Sequence, residues 1–496
     1  MSSLNLTDGT AVTVAGTAFQ DPLTNAGATP FVEHGYASTG FIIICTALVF
    51  FMTPGLGLFY AGLSRVKNSL SLIMISMLAM SIITIQWVLF GFSLSFSETG
   101  GRFWGNLAHG GLKGLGADAL PLTAPTIPGI LFALYQMQFA TITAALIFGS
   151  VAERIRLLPA MLFILLWSTF VYNPVAYWTW SARGWLKSLS CIDTIMDTPC
   201  GVGALDFAGG GPVHIASGFA GLAYCLMAGK RKLSDHEPFK AHNMTNVFLG
   251  VGLLWFGWYG FNAGSAVGAT PRAAMAGLVT TLAAASGSLS WMGWDFFRHG
   301  KLSGLGYCSG AVAGLVGITP ASGFVAPWAA IIIGAASGVC CNMACRLKDH
   351  FGFDDSLDAW GVHGIGGIVG GVLTGFFAQQ WVAALDGGVI AGGAVDGNWK
   401  QIGYQLAGCV TIAAWSFFLS LLILFILNKI PGLHIRPGAD HHEHGNDMSE
   451  MGEVAYEIMM AKENATAHSS MPAAPERTLS KAKLDTQPTE ATISVQ

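Results

Sequence analysis

Two histidines lie in glycine-rich apolar runs, each closely preceded by an aspartate. His214 is found in LDFAGGGPVHIASG (205–218) and His363 in SLDAWGVHGIGG (356–367). An imidazole is costly in hydrocarbon, so a histidine within a membrane span predicts a substrate pathway or a proton relay. A hydrogen bond between two helices is the plainer alternative. A third interpretation is that the two imidazoles face each other and ligate haem iron.

Asp206 and Asp358 precede these histidines, and we expect each aspartate to lie at the head of a helix. An N-cap carboxylate, which accepts backbone N–H bonds and favours the positive end of the helix, accounts for both residues. A carboxylate held in this way can also stabilise a cation nearby. The two interpretations are therefore compatible.

Aromatic residues cluster near the ends of two other apolar runs, VYNPVAYWTW (171–180) and LLWFGWYGFNAGSA (253–266). Aromatic residues at such positions are typical of a belt at the membrane interface. Ring faces beside a hydroxyl such as that of Ser265 also suit a small cation, which the ring quadrupole attracts. Phe139, in a third apolar run, is either core packing or a hydrophobic constriction that excludes water.

The composition indicates a membrane protein. Of 496 residues, 52% are hydrophobic and only 10% are charged, whereas soluble domains carry about 25% charged residues. A net charge of -4 argues against a nucleic-acid partner. The nine cysteines are scattered without a CxxC pair, so we predict no metal site and no cofactor.

Apolar runs long enough to cross a bilayer predict an all-α polytopic membrane protein with eleven transmembrane helices. A span needs roughly 20 residues at about 1.5 Å each. We place the spans near 38–62, 70–95, 128–151, 157–181, 205–229, 245–266, 272–292, 302–318, 325–346, 360–380 and 402–429.

The distribution of basic residues predicts the orientation of these spans. Twelve Lys and Arg residues fall in one set of alternate loops and six in the other. Since basic loops stay in the cytoplasm, we expect the N-terminus outside and the C-terminus inside. His214 and His363 enter spans five and ten, so two five-span halves of opposite topology would form an inverted repeat, followed by an eleventh helix.

We divide the chain into an extracellular segment (1–37), an eleven-helix domain (38–429), an ordered cytoplasmic segment (430–457) and a disordered tail (458–496). Asn5 lies in a glycosylation sequon on the predicted outer side. Cys191 and Cys200 share one predicted outer loop, where a disulfide is permitted. Ser480 follows Arg477 in a candidate kinase site.

Four ordered motifs together resemble the ammonium transporter family, in particular the fungal ammonium and methylammonium permeases. They are GALDFAGGGPVHIASG, WFGWYGFNAGSA, GSVAERIR and DAWGVHGIGGIVGGVLTG. The resemblance runs from the first predicted span to about residue 457. It implies a transporter rather than an enzyme, a homotrimer with one pathway per subunit, and ammonium or ammonia as substrate.

The resemblance also implies roles for particular residues. Trp180 and Ser265 match the outer recruitment site for ammonium, and Asp206 matches a buried carboxylate that supports it without direct contact. Phe139 and Phe261 match two stacked phenylalanines that close the pathway. The family's twin histidines, which line the pore and relay the proton, correspond to His214 and His363.

We therefore predict a plasma-membrane ammonium transporter. Two alternatives from other classes remain. One is an ammonium sensor that signals through its tail to a kinase or another partner. The other is a haem-bearing membrane oxidoreductase. Whether charge crosses with the ammonia is left open by the sequence.

Overall fold

A computed structural model describes residues 34–189, 203–231, 240–438 and 441–456. Within these ranges the regular structure is helical, apart from one isolated bridge between Leu120 and Ala124. The described residues up to Ala455 form one compact unit.

Twelve principal helices account for most of the described chain. They are α1 (His34–Leu63), α2 (Ser69–Gln86), α3 (Gly129–Leu146), α4 (Leu157–Trp167), α5 (Ala216–Ala228), α6 (Met244–Trp258), α7 (Pro271–His299), α8 (Gly304–Ile318), α9 (Pro327–Ala344), α10 (Ile365–Phe377), α11 (Lys400–Lys429) and α12 (His441–Met451).

Shorter helical pieces extend or connect them. Five are π-helical turns: Trp87–Gly91, Ser168–Tyr172, Gly210–Ile215, Tyr259–Ala263 and Trp360–Gly364. Four are short α-helices: Phe92–Phe96, Asn173–Trp180, Leu347–Phe351 and Gln380–Ala383. The 3-10 turns are Val66–Asn68, Gly110–Leu112, Ile147–Val151, Gly264–Ala266, Ala384–Asp386 and Ala394–Asp396.

In the described part of the chain, nine helical segments are long and apolar enough to cross a membrane, and they contain α1–α5, α7 and α9–α11. The other two predicted spans, 245–266 and 302–318, fall on α6 and α8, each 15 residues long. Fifteen residues rise only about 22 Å, short of the roughly 30 Å of hydrocarbon. The helical course of α6 continues through its π-turn to Ala266, whereas α8 ends at Ile318.

Glycine allows neighbouring helices to pack with their backbones in contact. A Cβ on Gly314 of α8 would lie 2.1 Å from the Ala283 carbonyl oxygen of α7. A Cβ on Gly250 of α6 would lie 2.8 Å from the Gly55 carbonyl oxygen of α1. Small residues at such contacts are typical of membrane bundles, in which close packing rather than water exclusion holds helices together.

The helix α12 contacts the beginnings of two bundle helices through its carboxylates. Asp447 accepts hydrogen bonds from the backbone N–H groups of Leu70 (2.9 Å) and Ser71 (2.7 Å) in the first turn of α2. Glu450 accepts one from the N–H of Leu157, where α4 begins (2.9 Å). Each carboxylate thus satisfies donors that have no partner within their own helix. Segment 430–457 is therefore joined to the bundle at these two positions.

Glu153 and Arg154 are adjacent in the sequence but pair with different partners. The side chain of Glu153 pairs with Arg65 (2.7 Å), and fully buried Arg154 approaches the Asp354 carboxylate (3.5 Å). Glu153 has a φ of 70°, so the backbone turns sharply between two residues that point to different neighbours. Burial would raise the pKa of Asp354, but hydrogen bonds from Arg231 and the charge of Arg154 lower it below its usual range.

Candidate functional site

Three of the π-helical turns carry residues that the sequence singles out. His214 lies in Gly210–Ile215, Phe261 in Tyr259–Ala263 and His363 in Trp360–Gly364. A π-turn places one more residue in the turn than an α-helix does, which changes where the following side chains point, and such turns are frequent at functional sites. Local backbone geometry therefore aims these side chains toward the interior of the bundle.

The two histidine-bearing helices cross at glycines. A Cβ on Gly218 of α5 would lie 2.3 Å from the backbone nitrogen of Gly364, the residue that follows His363. A Cβ on Gly367 of α10 would lie 2.8 Å from the carbonyl oxygen of Gly210. Any larger residue would push the helices apart. The glycine-rich composition of both runs thus allows the imidazoles to meet.

His214 and His363 form a buried, hydrogen-bonded pair. Their Nδ1 atoms are 3.2 Å apart, and their rings are nearly parallel, with centroids 5.3 Å apart. The residues are only 1% and 4% exposed. One Nδ1 must donate and the other accept, so the two rings have opposite tautomers when neutral. The Nε2 atom of His214 is buried and has no hydrogen-bond partner.

The histidine geometry does not fit a haem. Two axial imidazoles bind iron on opposite faces of a porphyrin, whereas here the two Nδ1 atoms bond directly to each other. The cavity beside them, which we call the lumen, has a volume of about 10 Å³. Such a space is at the lower limit for one water molecule, and a macrocycle is far larger.

The lumen is lined almost entirely by apolar side chains, with the two imidazoles as its polar groups. Its lining includes Leu56, Ile142, Val213, Leu254 and Trp258. The Trp258 ring stacks on His214 with centroids 5.5 Å apart. A hydrated ion would lose its water here without replacement, which is very costly for a charge.

Phe139 and Phe261 lie face to face at one end of the lumen. Their ring centroids are 4.2 Å apart with an interplanar angle of 28°, and both residues are fully buried. The hydroxyl of Tyr135 donates to the carbonyl oxygens of Gly260 (2.8 Å) and Phe261 (3.0 Å). Phe139 also contacts the Trp180 ring edge-on, with centroids 6.0 Å apart, so the stacked pair lies between the lumen and a larger cavity that Trp180 lines.

That larger cavity, which we call the vestibule, has a volume of about 350 Å³ and is lined by Phe96, Trp180, Asp206, Ser265 and other residues. The Trp180 indole N–H donates to the Asp206 carbonyl oxygen (3.1 Å), and its ring lies parallel to Phe96. The Ser265 hydroxyl donates to the Phe261 carbonyl oxygen (2.8 Å). Trp180, Ser265 and Asp206 are therefore brought together in one cavity.

Comparison with known proteins relates this architecture to one family. The Ammonium Transporter Family profile matches residues 40–456. The chain belongs to the ammonium transporter family. Ammonium transporter 1 of Schizosaccharomyces pombe is 45% identical over 429 residues, covering 86% of this chain and 83% of the relative. Ammonium transporter MEP2 of Saccharomyces cerevisiae is 45% identical over 436 residues, covering 86% and 84%.

Solved structures agree with that assignment. The crystal structure of Candida albicans Mep2 is 45% identical, covers 82% of this chain and 87% of that one, and superposes with a TM-score of 0.75. For Saccharomyces cerevisiae Mep2 the identity is 43%, the coverage 82% and 89%, and the TM-score 0.75. The resemblance to fungal permeases is thus confirmed, and this family member is an all-helical, multi-pass membrane protein.

In this family member, Asp206 is a cap rather than a free carboxylate. Its two oxygens accept hydrogen bonds from the backbone N–H groups of Gly209 (2.7 Å), Gly210 (2.8 Å) and Gly211 (2.6 Å). Gly209 has a φ of 116°, which favours glycine and lets the chain wrap around the carboxylate. A cation in the vestibule would therefore meet the charge of Asp206 without displacing these bonds.

The structural counterpart of Asp206 in the second half is Asp355, not Asp358. Asp355 precedes His363 by the same eight residues that separate Asp206 from His214, and it accepts hydrogen bonds from the N–H groups of Trp360 (2.9 Å) and Gly361 (3.3 Å). Asp358 has a φ of 60° and pairs with Lys348 instead. The equal spacing was the signal in the sequence that identifies Asp355.

Two cations, Lys187 and Arg272, also line the vestibule. In the sequence they contribute only to the count of basic loop residues, and nothing there assigns them a role in the site. Four other predicted sites lie outside the described residues: the glycosylation site Asn5, the cysteines Cys191 and Cys200, and the kinase site Ser480.

Proposed function

We propose that this protein carries ammonium across the plasma membrane, as a homotrimer with one pathway through each subunit. The vestibule faces outside, and the chain ends inside. The observation that carries the proposal is the hydrogen-bonded histidine pair in an apolar lumen of about 10 Å³, behind the closed Phe139–Phe261 stack. A fully hydrated cation has no place in such a lumen.

Recruitment takes place in the vestibule. The Trp180 ring attracts the cation through its quadrupole, an interaction of about 0.5–2 kcal/mol. The Ser265 hydroxyl already donates its proton to the Phe261 carbonyl oxygen, so its lone pairs remain to accept an ammonium N–H. The capped carboxylate of Asp206 adds a favourable field from the same cavity.

Ammonium then loses its proton at the Phe139–Phe261 stack, and neutral ammonia crosses the lumen. The Nε2 of His214, which has no partner in the protein, can form a hydrogen bond with the ammonia, and the hydrogen shared between the imidazoles provides a relay for the released proton. Potassium has a similar charge but no proton to lose, so it stays outside. Selectivity then rests on deprotonation more than on affinity.

Current measurements on reconstituted liposomes test this mechanism. The wild type should give a saturable current on addition of ammonium and none with potassium. His214→Ala combined with His363→Ala should abolish the current or admit potassium. An ammonia-dependent pH change without current would indicate a neutral gas channel. No response of either kind would refute transport.

A sensor role is a second candidate, favoured by the way α12 caps the first turn of α2 and the beginning of α4. These contacts connect the segment that precedes the tail directly to the transport bundle. Deletion of residues 457–496 should then abolish ammonium-dependent signalling while uptake continues. Signalling that survives the deletion would exclude a tail-borne sensor.

A further inference from the structure

Lys187 places a positive charge at the edge of the vestibule, next to the residue that recruits the substrate. Its Nζ donates a hydrogen bond to the carbonyl oxygen of Trp180 (3.0 Å). Its backbone N–H donates to the Trp178 carbonyl oxygen (3.1 Å). Trp180 ends the helix Asn173–Trp180, so the lysine lies at a helix C-terminus, where a cation is favoured. The residue is half-buried and lines the cavity.

Lys187 forms no direct ion pair with a carboxylate in the described part of the chain. Asp206 is engaged with three backbone N–H groups. Burial lowers the pKa of Lys187.

The other vestibule cation, Arg272, is differently placed. Its guanidinium pairs with Asp386 (3.3 Å) and lies over the rings of Phe207 and Phe324, 4.9 Å and 4.8 Å from their centroids. Its charge is therefore compensated locally. Of the two cations, Lys187 is the one that forms no ion pair within the described residues.

We propose that Lys187 sets the affinity of the vestibule, because its fixed charge opposes the binding of ammonium at Trp180 and Ser265. The inference rests on the proposed function and adds a residue that determines its substrate affinity. Two monovalent cations in one water-accessible cavity weaken each other's binding by about two- to tenfold. The lysine thereby keeps the half-saturating ammonium concentration above the value that the aromatic site alone would give.

A merely structural role for Lys187 predicts the opposite result. If the hydrogen bond to the Trp180 carbonyl only held the indole in place, its removal would disorder the ring and weaken binding. Neutral substitution therefore moves the half-saturating concentration down under the charge hypothesis and up under the anchoring hypothesis. The sign of the change separates the two.

The experiment compares Lys187→Gln and Lys187→Met with Lys187→Arg, using uptake and current in liposomes. The two neutral variants should lower the half-saturating concentrations of ammonium and methylammonium by the same factor of about two to ten, because both substrates are monovalent. Lys187→Arg should stay near the wild type. The half-saturating ammonium concentrations of the wild type and Lys187→Gln should become more similar at higher ionic strength, since salt screens the charge of Lys187.

Arg183→Gln is the matched control, because Arg183 is an exposed cation in the same loop. Its removal should change the half-saturating ammonium concentration less than twofold, as expected for a surface charge that solvent ions screen. An unchanged or higher half-saturating concentration in both neutral variants would overturn the inference, as would unequal changes for the two substrates. A wild type without any ammonium response would instead refute the proposed function.

Discussion

At the scale of the residue, the site depends on polar groups that satisfy one another in an apolar setting. The histidines share a hydrogen between their Nδ1 atoms, and the Ser265 hydroxyl is oriented by a carbonyl oxygen. Each bond fixes which lone pairs of these groups remain unbonded. In the mechanism that we propose, this pre-orientation avoids the cost of rearranging groups while a proton leaves ammonium.

Substitution of Asp206 and Asp355 tests how much their hydrogen bonds to backbone N–H groups stabilise the protein. Asp206→Ala leaves three backbone donors without their acceptor and Asp355→Ala leaves two, and each buried unsatisfied group costs about 1–3 kcal/mol. We expect both variants to lose thermal stability, Asp206→Ala more than Asp355→Ala. The measurement is the temperature at which detergent-solubilised protein loses its monodisperse elution peak.

Asp206→Asn is the control for shape, because the amide keeps one acceptor oxygen in nearly the same volume. Its melting temperature should lie between those of the wild type and Asp206→Ala. If Asp206→Ala has the same melting temperature as the wild type, the Asp206 carboxylate does not stabilise the helical turn that leads into α5.

At the scale of the element, glycine decides how closely the helices approach. Gly314 of α8 should not tolerate alanine, because its Cβ would lie 2.1 Å from the Ala283 carbonyl oxygen. Overpacking of this kind costs about 1–3 kcal/mol. We expect Gly314→Ala to lower the melting temperature and the yield of folded protein, measured by fluorescence-detected size exclusion.

Gly293 of α7 is the matched control, since nothing lies within 4 Å of a Cβ built there. Gly293→Ala should be neutral or slightly stabilising, because alanine has the higher helix propensity. Equal melting temperatures for Gly314→Ala and Gly293→Ala would mean that α7 and α8 can move apart with little loss of stability.

The helices were the more predictable part of the molecule. Nine of the eleven apolar runs correspond to long helices because length and hydropathy are local properties of a sequence. The fifth run was predicted to start at 205, but its helical part begins at Gly210. Hydropathy does not distinguish the helix from residues 203–209, which lead into it as non-helical chain.

The site was less predictable, since it depends on contacts between distant segments. The repeated Leu-Asp pair pointed to Asp358, whereas capping geometry uses the eight-residue spacing that selects Asp355. Lys187 gave no sequence signal because its importance comes from one hydrogen bond to Trp180. Pairing of Glu153 with Arg65 likewise depends on a contact across 88 positions.

At the scale of the whole molecule, the two halves of the chain each contribute one histidine to a single point in the bundle. The Gly218–Gly364 and Gly367–Gly210 contacts are reciprocal, each joining the first half to the second. Such reciprocity is expected if the site lies where two inverted repeats meet. The direction of transport then depends on which end of the bundle faces outside.

Glycosylation can determine that orientation. The excess of basic residues in one set of loops predicts the N-terminus outside, so in a eukaryotic host Asn5 should carry a glycan. The sequons at Asn243 and Asn464 should stay bare; the side chain of Asn243 also accepts a hydrogen bond from the Asn246 N–H (3.0 Å) and caps α6. Endoglycosidase treatment should therefore shift the wild type on a gel and leave Asn5→Gln unchanged. A glycan that persists in Asn5→Gln and disappears in Asn243→Gln would show that the chain has the opposite orientation. The vestibule would then face the cytoplasm.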